Sequence, residues 1–122
     1  VFMHDGLLPG DRMVYDSLTA AGVSRRRAGQ LQNLAIHCGY KTFGLNRADA
    51  ELCVVTRDRS RAETLALVGE AGHTVAVMSP YDGRVRQALC AQIVAQHRST
   101  TVDNRGYLLI FNNHLPKQHF RI

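Results

Sequence analysis

Asp5 is the residue whose setting most suggests catalysis. It closes the apolar fragment Phe2-Met3-His4 and is followed by Gly6. A carboxylate at the end of an apolar element can hold a hard divalent cation such as Mg²⁺, which polarises a phosphodiester and activates water. An Asp-Gly pair also makes an ordinary turn. Side chains able to grip an anionic substrate come in two groups. Arg25, Arg26 and Arg27 are consecutive, while Lys41, Arg57 and Arg59 bracket a β-prone stretch. Arg57 and Arg59, two apart, are expected on one face of a strand, where guanidinium forks reach phosphates and base edges. The same charges would equally protect a solvated edge strand. Lys41 is also a candidate for neutralising charge in a transition state.

Other chemistries find less support. The six histidines include no i, i+4 pair with a second ligand, and Pro116 separates His114 from His119. A helical zinc site is therefore not indicated. No Gly-x-Gly-x-x-Gly or Gly-x-x-x-x-Gly-Lys pattern occurs, and no Ser lies in a nucleophile-elbow context.

The bulk composition agrees with a polyanionic partner. The formal charge is +5 and the isoelectric point about 9.6, with arginine supplying most of the positive charge and lysine only Lys41 and Lys117. Trp is absent and aromatic residues make up 7%, which disfavours a stacking platform for single strands. Cys38, Cys53 and Cys90 are too few and scattered for a disulfide framework, so buried free thiols in a reducing compartment, cytoplasm or nucleoid, are expected. No apolar run approaches the roughly 20 residues of a membrane span, and no signal peptide is evident. The chain begins with Val1, consistent with a fragment or a processed product.

These residues need elements to position them. Leu7 to Asp11 contains a Pro-Gly turn, and Met13 to Tyr15 could form a short strand. Ser24 is a good N-cap and Gly39 a good left-handed terminator for a helix between them. Ala28, Leu31, Leu34, Ala35 and Cys38 mark its buried face. The three arginines sit in its first turn, the positive end of the helix dipole, where cations are disfavoured unless an anionic partner compensates. Tyr40–Asn46 and Glu51–Arg57 read as a two-stranded ribbon joined at Asn46–Asp49. Ser60-Arg-Ala-Glu63 fits a capping box opening a second helix that ends near Gly72. Thr74–Ser79 reads as a strand, and Arg84–His97 is compatible with a helix. Thr100–Val102 and Tyr107–Phe111 flank the hairpin signal Asp103-Asn-Arg-Gly106. The tail after Asn113 reads as polar and loose.

In order and spacing, Asp5-Gly6, Tyr15-Asp16-Ser17, Leu31-Gln-Asn-Leu-Ala35 with Gly39-Tyr40, and the Lys41–Arg59 ribbon resemble one repeat of a LAGLIDADG homing endonuclease of the type carried by inteins. About half of the chain takes part. Val1 to Gly6 matches only the end of the signature helix, and no second repeat is visible. The resemblance implies that Asp5 binds Mg²⁺ jointly with an Asp of a homodimer partner or of a second repeat on a missing segment. It also implies an antiparallel ribbon that enters the major groove of double-stranded DNA. Tyr81-Asp-Gly83, Asn104-Arg-Gly106 and Phe111-Asn-Asn113 give a fainter likeness to the final splicing segment of inteins. His114 after Asn113 supplies no splicing nucleophile.

The sequence thus predicts an α+β fold, with helices packed on one face of a largely antiparallel sheet. Expected parts are residues 1–72, a β-rich part 73–113 and a tail 114–122. The expected function is double-stranded DNA binding, as a Mg²⁺-dependent site-specific endonuclease or an intein-derived remnant. The alternative is a non-catalytic basic module that binds RNA or a protein partner within a larger assembly.

Overall fold

The computed structural model describes residues 12–112 and 116–122. The chain divides into two compact units, Val1–Lys41 and Thr42–Ile122.

The described residues of the first unit form two helices packed against each other. Helix α1 spans Met13–Ala20 and α2 spans Arg25–His37. Val14 and Leu18, one turn apart, are buried, as are Ala28, Leu31 and Ala35 of α2. The segment Met13–Tyr15 is therefore helical rather than extended. Its apolar residues continue at a four-residue step into Leu18, and Gln32 of α2 fixes its start by accepting the Tyr15 N–H at 2.9 Å. That side chain substitutes for a cap, since Arg12 provides none. Both helices end in the same way. After α1 the Val23 N–H bonds to Leu18 O at 2.9 Å and the Gly22 N–H to Thr19 O at 3.1 Å. After α2, Tyr40 bonds to Ala35 O and Gly39 to Ile36 O at 2.9 and 3.1 Å. This paired pattern requires a left-handed residue, and Gly22 (φ 93°) and Gly39 (φ 72°) supply it.

The second unit is a six-stranded sheet with two helices. In chain order it contains β1 (Phe43–Leu45), β2 (Leu52–Val55), α3 (Arg61–Glu70), β3 (Thr74–Met78), α4 (Arg84–Gln96), β4 (Thr100–Asp103), β5 (Tyr107–Phe111) and β6 (Gln118–Arg121). The strand order is β1-β2-β3-β5-β4-β6. The fold is α+β. Strand β5 runs antiparallel to both β3 and β4, while β1–β2, β2–β3 and β4–β6 are parallel. Strands β2 and β3 are buried along their whole length, as the near-continuous apolar runs Leu-Cys-Val-Val and Thr-Val-Ala-Val-Met require of parallel strands covered on both faces. On one face Cys53, Val55, Val75, Val77, Leu108 and Ile110 meet Leu65 and Val68 of α3 and Leu89, Cys90 and Ile93 of α4.

Several sequence expectations change here. The stretch Lys41–Arg59 is not an antiparallel ribbon: Phe43 pairs with Leu52 and Leu45 with Val54 in parallel. A three-residue strand is only about 10 Å long, so the short segment 46–51 carries the chain back to its starting end. Asn46 turns the corner with φ 57° and bonds to Val54 O at 2.8 Å. Its side chain clasps Thr56 through Nδ2 to Oγ1 (3.0 Å) and through the Thr56 N–H to Oδ1 (3.1 Å). The expected boundary at residue 72 also moves, because β2 and β3 form one ladder across it, from Leu52–Thr74 to Val55–Val77. Part of the tail is a strand: β6 pairs with β4, and the Lys117 ammonium donates to the carbonyls of Val94, Ala95 and His97 at the end of α4. Cys53 and Cys90 are buried thiols, but Cys38, at the C-cap of α2, is exposed.

One buried charge ties the second unit together. Arg86 of α4 is 8% exposed. Its Nε and Nη2 donate to Met78 O at 3.2 and 2.8 Å, Nη2 also to Thr56 O at 3.2 Å, and Nη1 to Arg59 O at 3.4 Å. The guanidinium therefore links the C-terminal ends of β2 and β3 to α4.

Candidate functional sites

In the first unit the start of α2 is the most cationic feature. Between residues 12 and 41 five basic side chains stand against one acidic one, Asp16. Ser24 caps α2, its Oγ accepting the Arg27 N–H at 3.3 Å. The connection from α1 is only the four residues Ala21 to Ser24, so the first turn of α2 directly follows a tight Gly22 bend. Arg25 and Arg26 are exposed, and their side chains have no ion pair among the described residues. Arg27 donates to Gln30 Oε1 at 3.1 Å. No acidic side chain lies in this first turn, so nothing local offsets cations placed at the positive end of the dipole.

The other sequence-predicted cations are placed differently. Arg57 and Arg59 do not share a strand face. They lie in the turn between β2 and α3, because β2 ends at Val55 and Ser60 caps α3. Each is committed to a carboxylate of the second unit. Arg57 pairs with Asp82 at 3.4 Å, and Arg59 with Asp58 and Glu63 at 3.3 and 3.4 Å. Lys41 is exposed in the irregular segment after α2. Asp5, the metal candidate, and its neighbour His4 lie outside the described residues, as do Asn113 and His114. Among the described residues no group of three or more His, Cys, Asp or Glu side chains is arranged to hold a metal ion. No described helix is long and apolar enough to cross a membrane.

The second unit carries a cleft that the sequence did not single out. Strand register builds its floor. Asp103 of β4 is aligned with Arg121 of β6 and with Leu108 of β5, and Thr101 is aligned with His119. Side chains two apart on a strand share a face. Asp103 and Thr101, with their partners Arg121 and His119, therefore all lie on one face of the sheet. Opposite them come Gln87, Cys90, Ala91 and Val94 of α4, with Tyr81 from the turn before it, enclosing about 300 Å³. A second, more open cavity of about 630 Å³ adjoins at Tyr81, Asp103, Arg105, Arg121 and Ile122. The Tyr81 hydroxyl donates to Asp103 Oδ2, and the Arg105 N–H donates to Oδ1 at 2.8 Å. The bond to Asp103 raises the Tyr81 phenol above its ordinary value, so Tyr81 remains a neutral donor. Thr101 Oγ1 and His119 Nδ1 are 2.8 Å apart. Burial raises the Cys90 thiol, which keeps it protonated and poorly nucleophilic.

The chain matches no protein-family model, no curated protein and no solved structure. Its function must therefore be argued from these two sites. Arg25 to Arg27 were legible from their run of charge and the Ser24 cap. The cleft was not, because Tyr81, Asp103 and Arg121 lie up to 40 positions apart in sequence and only the β4–β6 pairing and the turn before α4 bring them together.

Proposed function

We propose that the chain binds double-stranded DNA, with α2 as the helix that enters the major groove. The observation that carries this is the Ser24-capped start of α2, where Arg25 and Arg26 project without an acidic partner directly after a four-residue glycine turn from α1. Two packed helices joined by such a turn have the connectivity of a helix-turn-helix, in which residues at the start of the second helix contact base edges and phosphates. Phosphate is also the partner that would compensate cations held at this end of a helix dipole. Arg57 and Arg59, already paired with carboxylates, are left out of the proposed contact.

The test is fluorescence anisotropy of a labelled duplex as salt is varied. Each phosphate contact contributes a slope of about −0.9 in log affinity against log salt for B-DNA. The double variant Arg25→Ala/Arg26→Ala should make the slope shallower by about 2 and weaken binding at every salt concentration. Arg57→Ala/Arg59→Ala should leave the slope unchanged. An A-form RNA duplex should compete poorly, because its deep, narrow major groove does not admit a helix. An unchanged slope in the Arg25/Arg26 variant, or preferential binding of the RNA duplex, overturns the proposal.

A further inference from the structure

We propose that the cleft between α4 and the β4–β6 edge binds a small anionic molecule that bears an aromatic ring, of the size and chemistry of a mononucleotide. The adjoining cavities, about 300 and 630 Å³, lie in the range of small-molecule sites. Their charge is unbalanced in a specific way. Asp103 is the acidic residue lining them, and its two oxygens already accept from Tyr81 and from the Arg105 backbone. Arg105 and Arg121 line the open cavity and their side chains have no ion pair among the described residues, although Arg121 is in register with Asp103. Two arginines without an ion pair at one cavity offer the planar donors that a phosphate takes.

The remaining walls suit a ring. Tyr81 lines both cavities and is about half exposed. Its hydroxyl is anchored to Asp103, so the phenol face is held at the junction at little entropic cost. Beyond it Val94, Ala91 and Leu108 give an apolar interior, with Gln87 and His119 as polar groups able to orient a heterocycle. Phosphate at the Arg105/Arg121 rim and the ring against Tyr81 would use both cavities at once. All of these residues belong to the second unit, so the proposal stands independently of DNA binding by α2.

The experiment is a titration of the full chain with adenosine monophosphate, adenosine and inorganic phosphate, followed by two-dimensional NMR and calorimetry. The monophosphate should shift resonances of Tyr81, Arg105 and Arg121 saturably, and should bind at least about tenfold tighter than either half, since each half forfeits one set of contacts. Arg105→Ala and Arg121→Ala should each weaken the monophosphate about tenfold while leaving adenosine unaffected. Should either variant fail to fold, Arg105→Gln and Arg121→Gln keep the side-chain stem and remove the charge. The absence of saturable shifts at these residues overturns the proposal. So does monophosphate binding no tighter than phosphate alone, or affinity insensitive to both arginines.

Discussion

Arg86→Met keeps the aliphatic stem of the side chain and removes its guanidinium, and its cost can be worked carbonyl by carbonyl. Thr56 O keeps a donor, the Arg59 N–H at 3.2 Å. Arg59 O gives up one long contact of 3.4 Å. Met78 O loses two donors, at 2.8 and 3.2 Å, inside the protein. Hydrogen bonds from charged donors contribute about 1.5–3 kcal/mol each, and a buried group left unpaired costs about 1–3 kcal/mol. Burial acts the other way. It holds the Arg86 pKa below the ordinary arginine value, a desolvation cost that Met relieves. The balance is a loss of about 3 kcal/mol. With a urea dependence of about 1–3 kcal/mol per molar, the unfolding midpoint should fall by about 1 M or more. Hydrogen exchange at the buried amides of β2 and β3 locates the loss in the second unit. Arg84→Met, on the same helix but exposed, should change stability by no more than about 0.5 kcal/mol. A midpoint for Arg86→Met within about 0.3 M of the parent would refute the claim that this guanidinium pins the strand ends together.

The capping box of α3 gives a pH prediction. Backbone and side-chain hydrogen bonds from Ser60 hold the Glu63 carboxyl below its ordinary value. A depressed carboxylate stabilises the fold above its unfolded pKa and loses that contribution as pH falls through the folded one. Glu63→Gln should therefore flatten the acid limb of a stability profile below about pH 4.5; an unchanged limb in urea titrations would count against the box. Gly22→Ala should destabilise the α1–α2 pair by about 1–2 kcal/mol, because an L side chain is strained at φ 93° even though the space around it is open. Faster exchange of the Val23 amide, which bonds to Leu18 O, would report that loss, and unaltered exchange would refute it.

The local features of the chain were written in its sequence. Ser24 and Ser60 start helices because their hydroxyls satisfy exposed N–H groups within three residues, and Glu63 completes the box. Gly39 stops α2 because only a left-handed residue closes its last turn comfortably. Asp103 to Gly106 turns a hairpin between β4 and β5. The mixture of helical and β-prone runs, and with it the α+β class, was legible in the same way. The run Arg25–Arg27 and its placement at a helix start were equally legible, since cap and charge are neighbours in the chain.

Pairing partners were decided only by the tertiary structure. Fragments of three to five residues carry no mark of direction, so the β-prone runs around Asn46 suited an antiparallel ribbon as well as the parallel pair that forms. Burial against β3 and α3 selects the latter. The same contacts move Arg57 and Arg59 off a strand and onto Asp82, Asp58 and Glu63, which removes them from the uncommitted charge. A tail that is polar in sequence becomes β6 because β4 offers an open edge, and with it Arg121 arrives beside Asp103. Arg86, one basic residue among many in sequence, is a buried strut only because three carbonyls converge on it in space. Caps, turns and charge runs act over three or four residues and can be read from the chain. Pairs such as Asp103 with Arg121, Arg57 with Asp82 and Tyr81 with Asp103 are distant in sequence, and only the folded structure brings them together.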